Sequence, residues 1–285
     1  MHGAARGEAS CLETSVNGPG TAVIIEDDAD MRDLLEAVLR QSGFDVCSAA
    51  DGRAGVELVR RQNANVVTLD VSLPDIDGFE VLRRIRSFSD AYVLMLTGRD
   101  EEGDVLMAFQ GGADDYITKP FRHRELRARL TAVTRRPRST GSTGSTGSTA
   151  GITASRGPMP SSTPAVSDDV VISHNGLELN HKTRTVMVHG RAVELTRSEF
   201  DLLHELLGAA GKICSTKHLV RVLRKEYSRD DTSVYQFDER AVQAHVGNLR
   251  RKLGDSAQWP HWVETVRGMG YRLAPARPHP RDKAR

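Results

Sequence analysis

Residues 137–167 constrain the fold of this chain more than any other stretch. They contain no acidic residue, repeat Ser-Thr-Gly from Ser139 to Thr149, and become Pro-containing toward Ser167. Such a segment cannot bury enough apolar surface to offset the entropy of ordering it, so it reads as a flexible linker. Whatever folds must therefore do so in two separate cores. The 285 residues divide into a disordered tail at 1–20, a domain at 21–136, the linker at 137–167, a second domain at 168–276 and a tail at 277–285. A tether of this kind predicts communication through proximity or dimerisation more than through a fixed contact within one chain.

The two halves differ in charge. Residues 1–136 carry 17 Lys and Arg against 23 Asp and Glu, net −6, whereas residues 168–285 carry 20 against 15, net +5. The second half suits a surface that meets phosphates. No apolar run approaches the roughly 18 residues of a membrane span, and residues 1–20 lack an apolar core with basic flanks, so a cytoplasmic protein is expected. Cys11, Cys47 and Cys214 show no CxxC spacing and are expected as reduced thiols.

Before the linker, the apolar runs Val23–Ile25, Val66–Leu69 and Val93–Leu96 alternate with helix-period segments such as Met31, Leu34, Leu35, Val38 and Leu39. That alternation predicts a doubly wound parallel sheet whose ligands bind beyond the carboxyl ends of its strands. Glu26, Asp27 and Asp28 follow the first strand, Asp70 and Thr97 close two others, and Lys119 follows Tyr116–Thr118. Any one acid reads equally well as a helix N-cap, as Asp28 or Asp30 does before Met31. Carboxylates delivered to one rim by separate strands repel one another unless a cation intervenes, and an oxygen-rich cluster suits Mg²⁺.

The runs Ile24-Ile25-Glu26-Asp27-Asp28, Thr68-Leu69-Asp70-Val71-Ser72-Leu73-Pro74-Asp75-Ile76-Asp77-Gly78 and Asp114-Asp115-Tyr116-Ile117-Thr118-Lys119-Pro120-Phe121 resemble a receiver domain over residues 21–136. The resemblance implies a five-stranded CheY/flavodoxin-like fold and a phosphoryl group passed from a sensor histidine kinase to Asp70. It places Mg²⁺ on Asp27, Asp70 and the carbonyl of Ser72, with Glu26 acting through water. It makes Lys119, ahead of a cis Pro120, a phosphate contact, and Thr97 and Tyr116 a switch pair. It also implies a homodimer face that includes Asp115, Glu125 and Arg129, although Val105 stands where a basic residue is usual. Slow autodephosphorylation is the only turnover expected. A Mg²⁺-dependent phosphatase is the enzymatic alternative, but Asp70-Val71-Ser72 lacks the second acid of its Asp-x-Asp motif.

After the linker, Leu177–Leu179 and Thr185–Val188 predict strands, and Thr196-Arg197-Ser198-Glu199 predicts a capping box opening a helix. A second helix is expected near Ser215 and a third from Glu239 to Leu253. On the third, Val242, Val246, Leu249 and Leu253 form a core stripe, which turns Arg240, Ala244, Gly247 and Arg251 outward. Small residues there suit close approach to a DNA groove, or reflect loose constraint on an exposed face. Together with the run from Trp262 to Leu273, these segments resemble the OmpR/PhoB-type winged-helix effector, an α+β fold. The resemblance implies double-stranded promoter DNA as ligand and Arg240, Gln243, Asn248, Arg250, Arg251, Arg267 and Tyr271 as contacts. It also connects the long segment 224–238 with RNA polymerase.

Overall fold

A computed structural model describes residues 10–11, 19–98, 102–134, 171–224 and 235–276. The expected linker, the C-terminal tail and most of the segment 224–238 lie outside the described residues. In the N-terminal domain the chain runs β1 (Ser10–Cys11), β2 (Thr21–Ile25), α1 (Ala29–Gln41), β3 (Asp45–Ala49), α2 (Gly52–Gln62), β4 (Val66–Asp70), α3 (Gly78–Arg86), β5 (Tyr92–Thr97), α4 (Glu102–Gly111), β6 (Asp115–Thr118) and α5 (His123–Thr134). Strands β2 to β6 pair in parallel in the order β3-β2-β4-β5-β6. The expected five-stranded sheet thus forms, with two apolar layers around it. One holds Val23, Ile25, Val67, Leu69, Val93 and Met95, and the other holds Ile24, Leu35, Leu39, Leu94 and Leu126. Alternate residues of one strand feed opposite layers, as the two-residue period of a strand requires.

Two expectations change at the sheet edge. Ser10 and Cys11, assigned to a disordered tail, form β1 and extend the sheet antiparallel to β3, with Cys11 opposite Cys47. Cys47 is disulfide-bonded rather than reduced, whereas Cys214 is free and buried.

The C-terminal domain opens with a meander of β7 (Val171–His174), β8 (Leu177–Asn180), β9 (Thr185–Val188) and β10 (Arg191–Ala192). Helix α6 (Arg197–Gly208) starts at the expected capping box: Glu199 N–H donates to Thr196 Oγ1 and Thr196 N–H to Glu199 Oε2. Then come β11 (Cys214–Ser215), α7 (Thr216–Arg224), α8 (Tyr235–Leu253), and the strands β12 (Val263–Val266) and β13 (Gly270–Leu273). Helix α8 begins four residues before the expected Glu239. Strand β13 lies between β11 and β12, and Gly270 is required there: a Cβ at that position would sit 2.1 Å from the carbonyl oxygen of Cys214. Asp255 shapes the approach to β12 by accepting hydrogen bonds from the N–H groups of His261, Trp262 and Val263. Among the described residues no helix is long and apolar enough to cross a membrane.

Candidate functional site

The polar rim forms where the strand order changes direction. β2 is the first strand in sequence of the parallel set and lies between β3 and β4, so the loops after β2 and β4 leave in opposite directions and open a crevice at their carboxyl ends. Glu26, Asp27 and Asp70 meet there, with ligand oxygens within 4.8 Å of one another. Asp70 is 4% exposed and Glu26 1%, while Asp27 faces solvent. Lys119 enters from the end of β6, just ahead of its cis bond to Pro120. Its Nζ lies 2.7 and 2.9 Å from the Glu26 oxygens and 3.2 Å from Asp70 Oδ2. One ammonium thus serves two buried acids. Burial pushes the Glu26 carboxyl up to about 7; Asp70 and Asp27 add to the rise, and Lys119 offsets only part of it.

Local contacts hold the rim. The Arg32 guanidinium donates to the carbonyls of Glu26 and Asp27, and the Lys119 N–H donates to the Thr97 carbonyl. Asp75 accepts from the N–H groups of Gly52 and Arg53, tying the loop after β4 to the start of α2. These hydrogen bonds hold its carboxyl below the ordinary value although burial acts the other way. Gly78 closes the loop: a Cβ there would lie 2.3 Å from the carbonyl oxygen of Asp70. The backbone beside the acid is therefore set by a glycine. Ser72 lines the crevice together with Asp27. Thr97 is fully buried at the end of β5, and Tyr116 is buried in the N-terminal core. Arg129 Nη1 reaches Asp115 at 2.6 Å and its Nη2 reaches Glu125 at 3.0 Å, so the three residues expected at a dimer face bond within one chain.

The second expected site divides across the molecule. Helix α8 has three faces rather than two. Val242, Val246, Leu249 and Leu253 enter the C-terminal core as expected. Ala241 and Ala244, however, join the apolar cluster of the N-terminal domain that includes Val105 and Phe109 of α4. Asn248 donates from Nδ2 to the Phe109 carbonyl at 2.8 Å, and His245 is fully buried edge-on to the Phe109 ring. Ala244 therefore does not face outward, and the two halves share a fixed contact that the tether argument did not foresee. A tether permits separation, but apolar surface on α4 and α8 is better buried than wet.

A buried anion completes this seam. Asp114, just before β6, accepts from Arg86 Nη2 at 2.6 Å and from the Val93 N–H. Across the seam it accepts from Ser198 Oγ at 2.7 Å and from the Ser198 N–H at 3.2 Å. Burial alone would raise its carboxyl. Arg86 and these donors outweigh burial and hold it below the usual carboxylate range.

The other expected DNA contacts are less involved in the seam, although Arg251 borders a cavity that Gln110, Gly111 and Gly112 of the receiver also line. Gln243, Gly247, Arg251 and Arg267 are exposed, and Arg240 is half-buried. Arg251 donates to Asn248 Oδ1. Arg250 donates to the Val263 carbonyl and Thr265 Oγ1 and lies 6.0 Å from the Tyr271 ring centre, which joins α8 to the β12–β13 hairpin. Sequence reasoning missed Arg32, Asp75, Ser198 and His245. Arg32 and Asp75 were unmarked because they serve the backbone of the rim. Ser198 and His245 matter only once the domains dock.

Comparison with known proteins agrees with this architecture. Residues 22–131 match the response regulator receiver domain family, and residues 190–273 match the C-terminal domain of transcriptional regulatory proteins. The transcriptional regulatory protein AfsQ1 of Streptomyces coelicolor is 37% identical over 253 residues, 89% of this chain and 97% of AfsQ1. Two solved structures of RitR mutants align over 90% of this chain and 100% of theirs at 19% identity, with TM-scores of 0.63 and 0.64. Receiver, effector and near full-length relative agree: the chain belongs to the OmpR/PhoB response regulators, transcriptional regulators that join a receiver to a DNA-binding domain.

Proposed function

We propose that this chain is a promoter-binding switch of the cytoplasm, held off by the α4–α8 seam and released when Asp70 is phosphorylated. The observation that carries this reading is the convergence of Glu26, Asp27, Asp70 and Lys119 on one rim. An Asp70 oxygen forms the new O–P bond as the P–N bond of a kinase phosphohistidine breaks; the bonding pair stays on the imidazole nitrogen, which takes up a proton from solvent. Lys119 lies where it can meet the incoming oxygens. Three acids with one ammonium form an oxygen-rich, under-neutralised set that fits Mg²⁺, which Asp27, Asp70 and the Ser72 carbonyl would hold, with Glu26 contributing through water. When bound, the ion neutralises charge between carboxylate and phosphoryl oxygens.

Thr97 and Tyr116 are the residues we assign to sense the phosphate. Tyr116 shares its apolar cluster with Ala241 and Ala244, so a change at its ring has a packed route to the seam. Release of α8 uncovers α4 and frees the face with Asp115, Glu125 and Arg129 for a homodimer. It also uncovers Asn248, which joins Arg240, Gln243, Arg250, Arg251, Arg267 and Tyr271 on DNA. Contact of the segment 224–238 with RNA polymerase belongs to the same released state.

Acetyl phosphate with Mg²⁺ is expected to label the wild type but not Asp70→Asn, and to tighten binding to the chain's own promoter region. Equal labelling of both proteins would remove the Asp70 assignment.

A further inference from the structure

We propose that His245 makes the seam acid-labile: protonation of its imidazole drives α8 away from α4 and so unmasks the DNA-binding helix without a phosphoryl group. The inference rests on the reading above that the docked arrangement is the repressed one.

His245 lies on the α8 face that meets the receiver and is fully buried; the Asp114 backbone approaches its ring across the seam, but neither Nδ1 nor Nε2 makes a well-formed hydrogen bond. Its ring centre is 5.5 Å from that of Phe109, at an interplanar angle of 68°. A neutral imidazole survives in such a place with two polar atoms unpaired. A cationic one does not, because a buried charge without a partner costs far more than a buried dipole.

The charged groups around it do not supply that partner. Asp114 is the nearest anion by its influence, but its two oxygens already accept from Arg86, Val93 and Ser198. Arg86 brings a positive charge to the same carboxylate. Glu199 of α6 is paired with Lys252 of α8 at 2.7 Å, and Asp115 with Arg129. Arg224 of α7 lines the cavity bounded by Asp114, Asp115 and Ala241, adding a further cation on that side. Burial accordingly depresses the imidazole below its ordinary value, despite the opposing pull of the Asp114 carboxylate, Glu199, the Asp114 backbone and Asp115.

The sign follows from linkage. In the separated chain His245 meets water and titrates near the ordinary value of about 6.5. In the docked chain it stays neutral, so docking is fully favoured above that pH. It weakens as pH falls through about 6.5 toward the depressed docked value, by up to about tenfold in the docking equilibrium per pH unit. Asp114 acts in the same direction but lower down. Its docked carboxyl titrates below the usual carboxylate range, so its contribution is lost only as pH falls through that range.

Small-angle X-ray scattering of the unphosphorylated full chain between pH 8 and 5.5, on wild type, His245→Leu and His245→Gln, tests this. The expected result is a wild type that is compact at pH 8 and expands as pH falls through about 6.5, and variants that stay compact throughout. A wild type that stays compact to pH 5.5 overturns the role of His245 while leaving the docked reading intact. A wild type already extended at pH 8 overturns both. Expansion of the variants on the wild-type pH curve assigns the transition to another group and overturns the proposal. If neither variant folds, ¹³C NMR of the wild-type imidazoles decides. A His245 resonance that stays neutral until the chain expands supports the proposal, and one that titrates while the chain is still compact overturns it.

Discussion

The rim around Asp70 and the seam between α4 and α8 solve opposite electrostatic problems. At the rim, three acids face a single ammonium, and one of them, Asp27, is open to water. The site is left short of positive charge at an accessible place. At the seam, one buried anion, Asp114, is saturated by four donors, and the remaining polar ring, His245, is kept neutral. On the function proposed, the rim gains a ligand and the seam is then lost. A signal passes from one to the other only if changes at the rim are worth more than the contacts that hold the seam.

The largest effect that sharpens this contrast is at the rim. Asp70→Asn is expected to abolish labelling by acetyl phosphate entirely while leaving the seam intact, since the partners described for Asp70, namely Lys119, Glu26 and Asp27, all belong to the receiver. Intact-mass spectrometry reads the first and scattering at pH 8 reads the second. Expansion of the unlabelled variant would show that the two regions are not separable.

Asp114→Ala comes next. It removes the carboxylate from the Arg86 guanidinium, whose side chain is only 11% exposed and keeps just the carbonyls of Ser89, Ala91 and Gly112 as acceptors, and breaking such a buried pair costs about 3–5 kcal/mol. Receiver unfolding in urea should move by that amount, and the chain should open as well. A loss below about 1 kcal/mol, the scale of a surface ion pair, would mean that the arginine finds water easily and that the seam is wetter than described.

Ser198→Ala is gentler and more diagnostic, because Ser198 lies on α6, away from the expected DNA contacts and from the rim. Its hydroxyl donates to a charged acceptor, worth about 1.5–3 kcal/mol. Unphosphorylated Ser198→Ala should bind its promoter roughly 10- to 150-fold more tightly than wild type, with little change once both are phosphorylated. An unchanged affinity in titrations without phosphorylation would break the link between seam and masking.

The rim was legible in the sequence and the seam was not, for a physical reason. Glu26, Asp27, Asp70, Thr97 and Lys119 follow apolar strands, and a parallel sheet sends all such ends to one side whatever else the chain does. The capping box at Thr196 and the core stripe of α8 are equally local. The second buried stripe, Ala241, Ala244, His245 and Asn248, carries two small and two polar residues, which resemble an exposed face until a second surface covers them. Val105 points the same way. An apolar residue where a charged one is usual weakens the dimer pair, yet it suits a position that is 1% exposed beneath a docked helix. A substitution that looked like a loss at one interface fits the other.

Gly247 gives the smallest and most discriminating effect. It stands on the open face of α8 beside Gln243 and Arg251, and a Cβ there meets no atom within 4 Å. The docked chain therefore gives no reason for a glycine in mid-helix, where it costs about 1 kcal/mol against alanine. Gly247→Ala should stabilise the C-terminal domain by about 0.5–1 kcal/mol and leave the seam unchanged, which urea unfolding and scattering will read. Its effect on DNA then separates the two sequence readings of this face. If α8 approaches the groove closely at Gly247, promoter affinity falls even though the fold is firmer. If the position is merely unconstrained, affinity stays level, and the open face reads DNA through Gln243 and Arg251 alone.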